Sequence, residues 1–243
     1  MVQVYYDLHI HSALSPCADN DMTPNDIVGM VLLNGLDLIA ITDHNSFSNA
    51  VSVVNAAKSS REQSAKELIV LPGIEVSTVE EVHVLCLFSD VDSALSFESK
   101  LNPHYSNISN RIDIFGNQVL YDDDDQATGE VERMLIAPTS ISFDDLYQLT
   151  HNHDGAFIPA HIDRDSFSVI SNLGFLPPHL EINTVEVSSR GFENGFDVKT
   201  ANLPANGNVI FSSDAHQLWS ISERKHYLSL PELSAKAVID FLC

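Results

Sequence analysis

Eleven histidines punctuate this 243-residue chain, and several fall in an order that few folds can accommodate. His9 and His11 stand in Asp-Leu-His-Ile-His-Ser and His44 in Thr-Asp-His-Asn; Glu75 and His83 follow. His161 stands in Pro-Ala-His-Ile-Asp, and Asp214 and His216 close the series in Ser-Ser-Asp-Ala-His. Most of them end an apolar, strand-like run. A single scattered histidine is usually a core or surface residue. A series of imidazoles and carboxylates at successive strand ends is hard to explain without metal, which accepts both.

The runs that carry these residues alternate with helical patterns. A strand is expected over 3–10. Thr23-Pro24 opens a helix running to about Asn34, with proline at its first position, and Gly35 ends it. The continuous apolar run 36–42 reads as a buried parallel strand. A helix over 46–64 precedes a strand over 68–71, which leads through Pro72-Gly73 to Glu75. The stretch 82–88 is placed to pair with it as a hairpin. A helix over 143–152, strands over 156–160, 184–187 and 209–212, and a closing amphipathic helix over 234–242 complete the pattern. Such alternation predicts an α/β fold with parallel strands and right-handed crossovers. With about seven strands and candidate ligands at their C-terminal ends, a barrel with its site on that face is expected. The interval 90–141 breaks the rhythm. It holds a helix-like piece, a hairpin around 118–132 and four consecutive aspartates, Asp122 to Asp125. It reads as an insertion over or beside the site, with the aspartates in a solvated turn. They lack the glycine and distal glutamate of a calcium-binding loop. One domain over 1–243, insertion included, is the expected organisation.

Charge and cysteine content narrow the function. Thirty-four acidic residues face twelve basic ones, a net charge of -22. That field repels anionic membranes and long nucleic acid, and divalent cations would offset part of it. A small phosphorylated substrate or a short nucleic-acid end remains compatible. Cys17, Cys86 and Cys243 form no disulfide framework, and the N-terminal stretch lacks the regions of a signal peptide. A cytoplasmic protein is expected, with no membrane association. The sequence leaves the oligomeric state open.

Residues two apart on a strand face the same way, so His9 and His11 can meet one ion, and Asp214 and His216 repeat that spacing. Glu75, midway in the series, is the natural bridge between two ions, with His83 and His161 completing the second. His151 and His153 share the spacing but sit at a helix end, where such residues diverge. His104, His179 and His226 lack strand-end context. Taken alone, Thr42-Asp43-His44-Asn45 also fits a helix start capped by Asp43 or Asn45.

The full order His-x-His, Asp-His, Glu, His, His, Asp-x-His resembles the PHP (polymerase and histidinol phosphatase) family over nearly the whole chain. The resemblance implies a distorted seven-stranded (β/α)7, TIM-like barrel. It also implies phosphoester hydrolysis with two or three divalent metal ions, commonly manganese, iron or zinc. Carried over by position, it implies a first ion at His9, His11, Glu75 and Asp214 and a second at Glu75, His83 and His161. His44 and His216 would hold a third. The chain departs from the family at one point. Many members carry an aspartate soon after His-x-His as a third-ion ligand, and here that position is Pro16. Cys17, Asp19 and Asp21 are the candidates to replace it, and a weak third site is the alternative; a thiolate would favour zinc.

The expected chemistry is attack in line by a metal-activated water on a small phosphomonoester or nucleotide. Glu75, His44 and His216 are the catalytic candidates. Arg164, three residues after His161, and Arg190, after the strand over 184–187, are candidates to hold phosphate. Ser12 and Ser213, which flank ligand positions, are candidates to orient substrate or ligands. Two other readings compete. One is an amidohydrolase-type C–N hydrolase, weakened because no lysine precedes Lys58 and Glu75 takes the bridging place. The other is a non-catalytic, metal-stabilised binding module.

Overall fold

The computed structural model describes residues 1–63, 67–198, 203–204 and 207–243. Strand β1 (Val2–Ile10) leads to helix α1 (Pro24–Leu33), β2 (Leu38–Ile41), α2 (Ser48–Gln63), β3 (Ile69–Ser77) and β4 (His83–Leu87). Helix α3 (Val91–Leu101), the short α4 (Ile112–Phe115) and the hairpin strands β5 (Val119–Tyr121) and β6 (Ala127–Glu130) follow. Then come α5 (Phe143–His151), β7 (Ala156–Pro159), α6 (Val169–Leu173), β8 (Thr184–Ser188) and α7 (Ser189–Glu193). The chain closes with β9 (Asn208–Ser212), β10 (Tyr227–Leu230) and α8 (Ala235–Leu242). No helix among these residues is long and apolar enough to cross a membrane.

The architecture is mixed α/β: a curled six-stranded sheet in the order β10-β1-β2-β3-β4-β7, with β8 and β9 as a separate parallel pair. The expected ring of seven is therefore not one continuous sheet among the described residues. The β1, β2 and β3 strands run parallel, whereas β4 is antiparallel to both β3 and β7. The short Thr78-to-Val82 turn between β3 and β4 leaves no room for a crossover helix, so a hairpin is the geometry available. The β8–β9 pair adjoins the sheet beside β1 and beside β7. His11 N–H donates to Ala215 O (2.9 Å) and Ile162 N–H to Glu186 O (2.9 Å). Strand β10, which no sequence signal had marked, pairs antiparallel with the first half of β1.

Strands β2 and β7 are buried on both faces, as apolar runs without alternation imply. Leu38, Ala40, Leu71, Leu85, Ile158 and Ile210 pack on the concave side with Val238, Ile239 and Leu242 of α8. Thr184 Oγ1, at the start of β8, donates to Leu242 O (2.6 Å), so α8 closes the end opposite the strand C-termini. On β3, Ile69, Leu71, Gly73 and Glu75 share the concave face. A Cβ on Gly73 would lie 2.6 Å from Leu87 and 2.9 Å from Thr42, so only glycine lets the neighbouring strands close there.

The interval 90–141 divides in two. Helix α3 is an ordinary outer-layer helix, with Ala94, Phe97 and Leu101 in the core. The rest straps across α2 and the loop after His44. Asn49 Nδ2 donates to Val119 O (3.0 Å) and Arg133 Nη2 to Asn45 O (2.6 Å). The four aspartates lie in the turn between β5 and β6, as expected; Asn25 N–H donates to Asp125 Oδ1 (2.9 Å).

Candidate metal centre

Strand geometry places the singled-out histidines together. On β1, Val4, Tyr6 and Leu8 face the concave core but Ile10 packs on the outer side. A register shift against β2 between Asp7 and Ile10 accounts for the change of face. Beyond it His9 and His11, not the aliphatic residues, point inward, and their Nε2 atoms lie 3.1 Å apart. Glu75 ends the concave row of β3. His83 begins β4 at the same rim, because the hairpin reverses the chain. His161 and Asp214 follow β7 and β9, both in the left-handed region (φ 32° and 53°). Such backbone is uncommon for residues other than glycine and gathers at functional sites.

Glu75 is the hub. Its Oε1 lies 2.9 Å from His83 Nδ1, 3.2 Å from His161 Nε2 and 3.4 Å from His9 Nε2. Its Oε2 lies 2.9 Å from His44 Nδ1 and 3.4 Å from His11 Nε2. Asp214 Oδ1 lies 3.0 Å from His11 Nε2 and 3.2 Å from His9 Nε2. His216 stacks on His11 with ring centroids 4.2 Å apart. Burial opposes ionisation of Glu75, but the imidazoles of His83, His9 and His44 hold its carboxyl well below the usual carboxylate range. Burial likewise opposes the charge on Asp214, and His9 and His11 draw its carboxyl down.

Divalent ions fit this donor set. Three triads have ligand atoms within 4.8 Å of one another: His9, His11 and Asp214; His44, Glu75 and His83; and His11, His44 and His216. Glu75 Oε2, Asp214 Oδ1 and His161 Nδ1 are buried and accept or donate no hydrogen bond. Buried polar atoms of that kind are costly unless something else satisfies them. Chelation should therefore soften the protein. An ion at about 100 times its dissociation constant contributes about 2.7 kcal/mol, so stripping should lower Tm by roughly 5–10 °C in a chain of this size. Calorimetry with and without EDTA checks it, and an unchanged Tm would argue against resident ions.

A layer of carboxylates fixes the ligands. Glu186, fully inside the fold on β8, places its two oxygens 3.1 and 3.0 Å from His9 Nδ1 and accepts from His161 N–H (3.0 Å). It presents the other ring nitrogen of His9 to the centre, a recurring device in metal sites. Asp7 accepts from Ser213 Oγ (2.6 Å), Asp43 from Ser12 Oγ (2.6 Å), and Asp163 from Ser188 Oγ (2.6 Å). Each of these pairs ties one rim segment to the next. The sequence reading missed Glu186. The available signal was a charged residue between two valines in a five-residue strand, facing opposite to Val185 and Val187.

The other candidates divide. Ser12 is buried, with its hydroxyl bonded to Asp43 and to the Asn49 amide (3.0 Å), and Ser213 bonds Asp7 in the same way. Arg164 Nη2 pairs with Asp214 Oδ2 at 2.6 Å. Arg164 and Arg190 line one cleft of about 800 Å³, with Asp163, Ser188 and Ser213 beside them. Cys17 lies at the surface with its sulfur turned inward. Burial opposes its ionisation, but hydrogen bonds with His216 and His44 draw the thiol down to about 6. Asp19 and Asp21 show no side-chain contact with these imidazoles among the described residues; Asp19 reaches His216 through its backbone N–H (2.9 Å).

Comparison with known proteins is consistent with this centre. The PHP domain model matches residues 7–174. The 5'-3' exoribonuclease Rnm of Salmonella typhimurium strain LT2 is 33% identical over 91 residues, covering 36% of this chain and 29% of that protein. The chain thus matches less than a third of that relative's length. The lesion-specific endonuclease PfuEndoQ of Pyrococcus furiosus superposes with a TM-score of 0.64 at 16% identity, over 99% of this chain and 56% of that one. An endonuclease Q bound to a 27-mer duplex with an abasic lesion superposes at 0.56 with 15% identity, over 98% and 56%. At such identities the likeness to the solved structures concerns the fold alone. The charge argument above, which set long nucleic acid aside, finds no support among these names. Net charge describes the far field, whereas a phosphate at the centre would meet cations and arginines, whose local charge decides.

Proposed function

The chain belongs to the PHP-domain family, and from that premise we propose that it is a metal-dependent phosphoesterase acting on nucleotides or on the terminal nucleotide of a nucleic-acid strand. The observation that carries this reading is the Glu75 hub, where Glu75 Oε2 and Asp214 Oδ1 are buried without hydrogen bonds and Arg164, from a neighbouring cleft of about 800 Å³ that Arg190 also lines, pairs with Asp214. The size of the cleft suits one or two nucleotides, since small-ligand sites run to about 300–1,000 Å³. The exoribonuclease relative supports a nucleic-acid end over an unrelated small phosphomonoester.

In this reading His9, His11, Glu75 and Asp214 would hold one ion and Glu75, His83 and His161 a second. Bound divalent ions supply Lewis acidity and an activated water. The chain's own residues do the rest. Glu75 turns Oε1 to His83 and His161 and Oε2 to His44, so its two oxygens serve two neighbouring ligand groups. Glu186 holds the proton on His9 Nδ1 and so keeps Nε2 free to ligate. Arg164, held by Asp214, and Arg190 meet the phosphate oxygens from the cleft side. Phe167, about half exposed and stacked on His83 at 4.8 Å, walls the opposite side against water. His44 and His216 lie on the side of the hub next to Glu75 Oε2 and Asp214, where a further ion would offset the charge that develops on the leaving oxygen.

The test is turnover with added Mn²⁺ on 5'-phosphorylated oligonucleotides, nucleoside bisphosphates, nucleoside monophosphates and p-nitrophenyl phosphate. Chelator-sensitive release from the nucleotide substrates, at least tenfold faster than from p-nitrophenyl phosphate, is expected. Equal rates on all four, or rates that EDTA leaves unchanged, would overturn the proposal. A charge-assisted hydrogen bond is worth about 1.5–3 kcal/mol. Arg190→Ala should therefore raise KM about 10–100-fold with kcat little changed; steady-state kinetics checks this, and a fall in kcat alone would place Arg190 elsewhere.

A further inference from the structure

We propose that the sulfur of Cys17 is the anionic ligand of a further cation site completed by His44 and His216. The proposal rests on the metal-dependent reading above and concerns the point where the chain departs from its family, Pro16.

The loop is built to deliver that sulfur. Ser15 N–H donates to Ser12 O (3.0 Å) and Ala18 N–H to Ser15 O (2.9 Å), which folds 12–18 into successive turns. The loop is then tied to each imidazole's own segment. Ser15 Oγ donates to Asp43 Oδ1 (2.7 Å), lies 2.9 Å from His11 Nδ1 and accepts from His44 N–H (3.2 Å). Asp19 N–H donates to His216 O (2.9 Å). From behind, Gly116 at φ 95° sits so close to Pro16 that a Cβ would lie 2.2 Å from the Pro16 carbonyl oxygen. The strap over 102–141 therefore packs directly on the loop at Pro16. Pro16 is turned to the strap, and the next side chain, Cys17, reaches both His216 and His44.

An independent observation points to an ion there. His11, His44 and His216 present ligand atoms within 4.8 Å of one another, three imidazoles gathered beside the surface loop that carries Cys17. A thiolate supplies the same single negative charge as the missing carboxylate, but it is a softer donor. It turns the site toward Zn²⁺, Fe²⁺ or Co²⁺ and away from Mn²⁺ or Mg²⁺. One sulfur and two imidazoles leave a fourth position open, as catalytic zinc sites do, and Cys17 lies at the surface, where a phosphate oxygen has access.

The experiment strips the whole protein with chelator, reloads it with Co²⁺ and records the near-ultraviolet spectrum with the ion count. A thiolate-to-Co²⁺ charge-transfer band is expected in wild type and in Cys243→Ser. It should vanish in Cys17→Ser and in Cys17→Asp, while Cys17→Asp still takes up as many ions as wild type. That last variant separates loss of sulfur from loss of fold. A reloaded wild type without the band, or a band that survives in Cys17→Ser, would overturn the proposal. The band is read without turnover, so this outcome is independent of whether the nucleotide reading stands.

Discussion

Glu75→Gln keeps the size of the side chain and removes its charge, and hydrolysis should fall by about three orders of magnitude or more, roughly 4 kcal/mol of barrier. The reason is position. One carboxylate lies within 3.4 Å of His9, His11, His44, His83 and His161. A neutral amide in its place presents a donor where cations and imidazoles need an acceptor, and it cannot join two ions. Elemental analysis of the variant should show at least one ion fewer per chain, with the far-ultraviolet circular dichroism unchanged. A variant with wild-type kcat and ion count would remove Glu75 from the centre of the mechanism.

Glu186 should produce the second-largest effect, although it stands beside no expected ligand in the sequence. Partners of metal-bound histidines typically contribute 10–100-fold in metal affinity or activity. Glu186→Gln retains an acceptor for His9 Nδ1–H and should lose about tenfold. Glu186→Ala leaves both His9 Nδ1 and His161 N–H unpartnered in a buried site, and should lose about 100-fold. Titration of stripped protein with Zn²⁺ measures this directly. If both variants bind as wild type does, the carboxylate only fills space. Neither substitution should alter the Cys17–Co²⁺ band, since Glu186 reaches His9 and His161 and neither His44 nor His216.

The histidine series and the strand-end context were legible because period and order are local properties. His-x-His on a strand must present both rings to one side, and the run from Ile69 to Glu75 must end a buried row. The hairpin of β3 with β4 could be read from the short connection alone. The strap over 102–141 was visible only as a break in rhythm. What it grips, the carbonyl of Asn45 and the flank of Pro16, lies far away in sequence. Strand β10 carried too little apolar pattern to be seen, and its pairing with β1 supplies the reason it exists.

The sequence by itself determined the donor set: which imidazoles and carboxylates exist, in what order, and that Pro16 stands where a ligand is expected. Only the tertiary structure decided which of them meet. It swung His9 and His11 inward through a register shift in β1, brought Glu186 from β8 behind His9, spent Ser12 on Asp43, and turned Cys17 rather than Asp19 or Asp21 toward His44 and His216. The physical reason is that ligation and hydrogen bonding depend on distances of about 3 Å. Those distances are set by how strands distant in the chain register against one another, which no local pattern contains.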